Sequence, residues 1–175
     1  MKKLCFLFPL VVSLFIAGCG DGQVKNSEKS DAEIAELLLE YNKANHQNQK
    51  TAIQSYIKEK QWPMNETGTG IYYWIYESKG DTTVVREGDY AMVSYTVSLL
   101  DGTVCYTAKP EDKVSFLVGR DHVESGIHEA VQLMHIHDKA KIILPSGRAF
   151  GLMGDDAKIP MNSVVLYDIE LLGIR

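Results

Sequence analysis

The stretch Ile143–Leu172, ILPSGRAFGLMGDDAKIPMNSVVLYDIELL, decides how the chain is read. It has the form of a strand end, a long glycine-bearing loop and a closing strand. In its last run, Val164–Leu172, Val165, Tyr167, Ile169 and Leu171 share one face, and Asp168 and Glu170 share the other. The β-branched and aromatic content fits a pleated, half-buried surface. The loop before it is too long for a casual connection. Gly147, Gly151 and Gly154 let it turn, and Pro145 and Pro160 stiffen its ends. Its apolar members Phe150, Leu152, Met153 and Ile159 fit a lid or pocket wall; a surface loop without a role fits equally well.

Upstream, the spacing predicts more strands and one short helix. Lys139–Leu144 reads as a strand entering the loop. Ser125–Met134 reads as a helix, with Ile127, Ala130, Val131 and Met134 at i, i+3, i+4, i+7. Val114–Val118 and Thr103–Thr107 read as short strands. Asp101-Gly102 marks a hairpin turn. Ala91–Leu99 alternates cleanly, Ala91, Val93, Tyr95, Val97 and Leu99 on one face, as a half-buried antiparallel strand does. Thr82–Val85 and the aromatic run Ile71–Glu77 complete the strands, with turns at Thr67–Gly70 and Lys79–Asp81. Strands, one short helix, then strands point to an α+β domain.

The N-terminal third has a different character. Lys2 and Lys3 precede the apolar run Leu4–Ala17, which is too short for an ordinary membrane span and reads as a targeting segment. Ile16-Ala17-Gly18-Cys19 is similar to a bacterial lipobox, which implies cleavage before Cys19 and lipid on that residue. Several acyl chains, at about 0.8 kcal/mol per buried CH₂, hold a protein on a membrane. The expected place is the cell envelope, as a lipoprotein of the outer membrane facing the periplasm. Residues 19–30 are polar and read as a flexible tether. Residues 31–63 form a helical segment. Ser30-Asp31-Ala32-Glu33 fits a capping box, and Ile34, Leu37, Leu38 and Tyr41 form an apolar stripe. The polar Asn45–Gln49 interrupts it, Ile53, Tyr56 and Ile57 resume it, and Trp62-Pro63 stops it. This reads as one helix with a weak centre or as two helices broken near residue 47. It is expected to pack against the domain; the alternative is an arm for dimerisation or for holding a client.

Composition narrows the function. The net charge of −5 becomes more negative once Lys2 and Lys3 leave with residues 1–18. That argues against nucleic acid and against electrostatic docking on anionic lipid. Of three cysteines, Cys5 leaves with the signal and Cys19 takes lipid, so Cys105 has no partner for an internal disulfide. His135 and His137 flank a turn without a metal-site pattern. There is no G-x-S-x-G elbow, no P-loop and no dinucleotide fingerprint. No metal or cofactor is called for.

The order A-F-G-x-x-G, then I-P, then Y-D-I-E-L-L resembles the C-terminal signature of FK506-binding-protein (FKBP) prolyl isomerases. Glu87-Gly88-Asp89, Val93-Ser94-Tyr95-Thr96 and Leu99-Leu100-Asp101-Gly102 match an earlier block of that family. Phe116-Leu117-Val118-Gly119, Val123, Gly126, Val131 and Met134 match its middle block. The resemblance implies, over residues 66–175, an antiparallel half-barrel of five to six strands around one short helix. It implies a pocket between sheet and helix for proline-containing polypeptides. The matching catalytic positions are Tyr95, Tyr106, Phe150 and Tyr167. The matching substrate-binding positions are Cys105, Val114, Val123, Glu124, Ile127 and Ile159. This chain departs from the family where it has Cys105-Tyr106 for Phe-Asp, Phe150 for tyrosine, Ile127 for a tryptophan floor and Glu124 for an aliphatic residue. The expectation is altered binding and weak catalysis. A lipid-anchored prolyl isomerase and a non-catalytic binding module on the same scaffold both remain open, as monomer or as dimer through the N-terminal helices.

Overall fold

The computed structural model describes residues 30–175. The expected signal segment 1–18, the expected lipid site at Cys19 and the expected tether as far as residue 29 lie outside the described residues.

The first helix, α1, spans Asp31–Lys60 without a break. Ser30 caps it: its hydroxyl accepts from the Glu33 N–H at 3.3 Å, and the Glu33 carboxylate accepts from the Ser30 N–H at 3.0 Å. This reciprocal pair satisfies two N–H groups the helix cannot pair internally. Gln61 ends the helix in the left-handed region at φ 56°, and Pro63 prevents its resumption. The polar centre, Asn45–Gln49, does not interrupt the helix. Backbone bonds carry the helix through it, and its side chains meet another part of the chain.

Seven strands follow: β1 (Asn65–Glu66), β2 (Tyr72–Glu77), β3 (Tyr90–Leu99), β4 (Val104–Ala108), β5 (Val114–Leu117), β6 (Lys139–Leu144) and β7 (Val165–Ile174). A short helix, α2 (Ser125–Val131), lies between β5 and β6. The sheet order is β1-β2-β6-β7-β3-β4, and every pairing is antiparallel. β5 pairs with the first half of β3 and β4 with its second half, so β3 serves two neighbours on one edge. The strand expected at Thr82–Val85 is a single bridge, Val84 to His135. The Asp81 carboxylate takes the Thr83 N–H at 2.6 Å, and a local turn of this kind competes with a ladder. The seventh strand is β1, two residues on the edge beside β2.

The alternation in β7 holds. Val165, Tyr167, Ile169 and Leu171 are buried on the concave face against α2, with Val93, Val97 and Ile142. Leu166, on the other face, is buried as well. It joins Ile53, Tyr72 and Ile143 in a second, smaller cluster roofed by the last turns of α1. Gly126 allows α2 to sit close to the rest: a Cβ there would stand 2.5 Å from a Leu144 methyl and 2.9 Å from the Arg148 carbonyl oxygen. The close seat brings α2 down onto the start of the 145–164 loop.

Candidate functional site

Between the concave face of the sheet, α2 and the 145–164 loop lies a cleft of about 430 Å³. β3 and β7 supply its back wall through Val93, Tyr95, Val97, Tyr167 and Ile169. Ile127 of α2 forms the floor, and it is 3% exposed. Val123 and Glu124, just before α2, form one lip. Phe150 and Asp155 of the loop form another, with Tyr106 from β4 and Val114 from β5 closing the rim.

Eight of the ten expected positions therefore line one cavity: Tyr95, Tyr106, Val114, Val123, Glu124, Ile127, Phe150 and Tyr167. Cys105 and Ile159 do not. Cys105 alternates with Tyr106 along β4, so its side chain turns away from the rim and is buried. Its Sγ lies 3.6 Å from the Lys158 carbonyl oxygen, and burial raises the pKa of the thiol. Ile159 is buried in the core beneath the loop, and its contribution is to hold that loop down. Leu152 and Met153, which also looked suited to a pocket wall, face solvent.

Sequence reasoning missed Asp155. Its carboxylate accepts the Tyr106 hydroxyl and the N–H groups of Ala157 (3.0 Å), Lys158 (2.9 Å) and Ile159 (2.8 Å). Its pKa is held at about 2, mainly by the Tyr106 hydroxyl and further by those N–H groups. The family commonly places a carboxylate where Tyr106 stands; here the loop brings one to the tip of that tyrosine. An aspartate closing a turn onto N–H groups two to four residues ahead is a local signal, and Asp155–Ile159 carried it. Gly154 makes the turn possible. At φ +74° its α-carbon lies so close to the Ile159 carbonyl oxygen that a Cβ would stand 2.2 Å from it.

Tyr95 and Tyr167 pack ring to ring at 5.9 Å and 56° on the back wall. Burial raises the pKa of both phenols, and the Glu124 carboxylate raises them further, so both remain neutral donors. The Glu124 N–H, at the N-cap of α2, finds no protein acceptor among the described residues. The cleft thus presents apolar walls, neutral hydroxyl groups, the acidic side chains of Glu124 and Asp155 at its lips, and a free backbone N–H at Glu124. It holds no nucleophile–base pair. Among the described residues no group of three or more metal-ligating side chains forms. His135 belongs to a turn in which the buried Asp138 carboxylate accepts its N–H at 2.8 Å.

Comparison with known proteins agrees with this geometry. Residues 81–172 match the family model of FKBP-type peptidyl-prolyl cis-trans isomerases. The chain is 30% identical over 176 residues to the FKBP-type isomerase FkpA of Aeromonas hydrophila, covering 93% of this chain and 65% of that one. It is 32% identical over 95 residues to the Drosophila melanogaster isomerase Fkbp12, covering 54% of this chain and 88% of that one. The crystal structure of FkpA from Escherichia coli superposes with a TM-score of 0.58 at 24% identity, over 85% of this chain and 74% of that one, a likeness of fold that extends beyond the cleft-bearing domain. The chain spans less than two thirds of the length of its FkpA relative.

Proposed function

The chain belongs to the FKBP-type peptidyl-prolyl cis-trans isomerase family, and on that premise we propose that it isomerises X-Pro bonds of polypeptide clients outside the cytoplasm, held at a membrane by lipid on Cys19. The observation that carries the activity is the cleft itself: an apolar chamber lined by neutral phenols, with a free N–H at its lip.

The chemistry asks for nothing more. The barrier to rotation, ~18–20 kcal/mol for a peptide bond, arises from lost C–N resonance, and no bond is made or broken. Uncatalysed X-Pro bonds take tens to hundreds of seconds to turn over. The planar amide is more dipolar than the twisted one. Walls such as Val97, Ile127 and Phe150 therefore disfavour the planar ground state more than the twisted form. The Glu124 N–H is the donor for the carbonyl beside the proline. Proline itself enters against Tyr95 and Tyr167.

The same walls support low catalytic power. Ile127 offers a smaller floor than an indole. Phe150 has no hydroxyl, and the Tyr106 hydroxyl is already engaged by Asp155. These features also fit a module that binds proline-containing chains without turning them over. Turnover of an X-Pro peptide by the wild-type chain, compared with buffer, separates the two readings. In Phe150→Tyr the added donor should contribute ~0.5–1.5 kcal/mol, a gain in kcat/KM of roughly two- to thirteen-fold if realised in the transition state. A wild type and a Phe150→Tyr variant that both match buffer leave the binding module as the function. For the anchor, Cys19→Ser should move the protein from the membrane to the soluble fraction. Wild type without an acyl mass rejects the lipid.

A further inference from the structure

We propose that Gln49 is a positioning residue for the cleft: from α1, its side-chain amide ties together the two ends of the loop that carries Phe150 and Asp155. The inference rests on the isomerase reading of that cleft.

Gln49 sits in the polar middle of α1 and is nevertheless buried, beneath the loop. Its Oε1 accepts the Ser146 N–H at 2.8 Å. Its Nε2 lies 2.9 Å from Ser146 Oγ, 2.8 Å from Asn162 Oδ1 and 3.2 Å from the Asn162 carbonyl oxygen. Ser146 opens the loop and Asn162 stands near its close, 16 residues later. The Ser146 hydroxyl donates to Asn162 Oδ1 at 2.9 Å, which completes a ring of bonds through Gln49. Asn45, one turn earlier on α1, exchanges amide bonds with Asn162 at 2.7 and 2.6 Å.

From Ser146 the bonds run on to the cleft, and Asn162 follows closely on the turn that holds Asp155. The Ser146 carbonyl accepts from Ala149 at 3.0 Å and from Gly151 at 2.8 Å, the two residues that flank Phe150. Three residues before Asn162, Ile159 donates its N–H to the Asp155 carboxylate, and its carbonyl accepts the Asp155 N–H at 3.2 Å. Phe150 therefore hangs from Ser146, which Gln49 bonds, and the turn that holds Asp155 ends three residues before Asn162, which Gln49 and Asn45 bond together. Gln49 itself does not line the cleft, so it acts only through the loop. A leucine would fill a similar volume but leave the Ser146 N–H without its acceptor and the Asn162 carbonyl oxygen without its donor. The bonding, not the bulk, is what the position supplies.

The test compares the full chain with Gln49→Leu and with Asn162→Gly, which keeps the positive φ of 58° at residue 162 and removes the side-chain amide that Gln49 and Asn45 bond, while the Ser146 anchor and the Asn162 carbonyl stay. Two readouts are taken: kcat and KM on an X-Pro peptide, and amide hydrogen exchange resolved by residue. Gln49→Leu should lower kcat/KM about tenfold, the scale of effect expected from misplacing groups around a bound substrate. Exchange should quicken at Gly151 and Ile159 while His128 of α2 and Ile169 of β7 keep wild-type rates. Asn162→Gly should show the same pattern in smaller measure, and it decides the question if Gln49→Leu does not fold. Wild-type exchange at Gly151 and Ile159 in a folded variant overturns the proposal. So does a uniform quickening through α2 and β7, which marks a merely structural role. A wild-type chain without turnover rejects the isomerase reading, and the exchange pattern then decides the clamp alone.

Discussion

The two halves of α1 carry apolar stripes of the same kind and meet different fates. In the first half Ile34, Leu37, Leu38 and Tyr41 follow the ideal helical spacing, yet Leu38 is 57% exposed and the other three are exposed too. In the second half the stripe is interrupted by polar residues, yet Ile53 is 1% exposed and Tyr56 and Ile57 pack beside it. At ~1.5 Å per residue the helix is about 45 Å long, and the packed half, from Asn45 onward, accounts for only about 24 Å. Residues 31–44 are all exposed. Periodicity says which face of a helix is apolar; what lies opposite is set by the shape of the domain it reaches.

The sharpest way to break this contrast is to remove the helix. A chain of residues 67–175 retains β2 to β7 and α2 and should unfold cooperatively, but with Tyr72, Ile143 and Leu166 uncovered. Its loss of stability in urea should exceed that of Ile53→Ala, which should cost about 2–5 kcal/mol. A chain beginning at Asn45 should unfold like the full chain and keep its kcat/KM. If both truncations behave alike, the two halves are equivalent and the contrast is wrong.

The contrast extends to the loop that the packed half covers. Asp155 has its carboxyl pKa depressed to about 2 in the folded chain, against ~3.9 for an ordinary aspartate. Its contribution to stability is therefore present above the ordinary value and lost as pH falls through about 2. Tyr106→Phe removes the main cause of the depression. The Asp155 midpoint followed by carboxyl NMR should rise toward the ordinary range, while Leu38→Ser should leave it in place. An unmoved midpoint in Tyr106→Phe would mean that the turn N–H groups alone hold the carboxylate.

The smallest effects belong to the exposed stripe. Leu37→Ser and Leu38→Ser should each change unfolding free energy by no more than about 0.5 kcal/mol, as surface substitutions do. A loss several times larger, measured on the full chain, would show that this half is covered in solution.

Much of the architecture was legible in order and type. The capping box at Ser30, the strand Lys139–Leu144 and the buried face of β7 follow from local spacing alone. Thr82–Val85 looked as strand-like as its neighbours, but the turn at Asp81 left it one bridge. The cleft was harder to read. Tyr95 and Tyr167 could be matched to family positions, whereas which of the neighbours Cys105 and Tyr106 faces the rim depends on the register of β4 against β3.

By itself the sequence determined the helix starts, the strand faces, the glycine positions where the chain must turn back on itself, and the family whose pocket these elements build. Those are properties of neighbours along the chain, where propensity, capping and alternation act within a few residues. Only the tertiary structure decided that Asp155 would meet Tyr106, that Gln49 would join Ser146 to Asn162, and that half of α1 would remain uncovered. Each of these depends on contacts between residues 16 to 113 positions apart, or on where the sheet ends. Polar side chains such as Gln49 give no periodic signal, because a hydrogen bond is specified by the direction and distance of one partner and not by the repeat of a face.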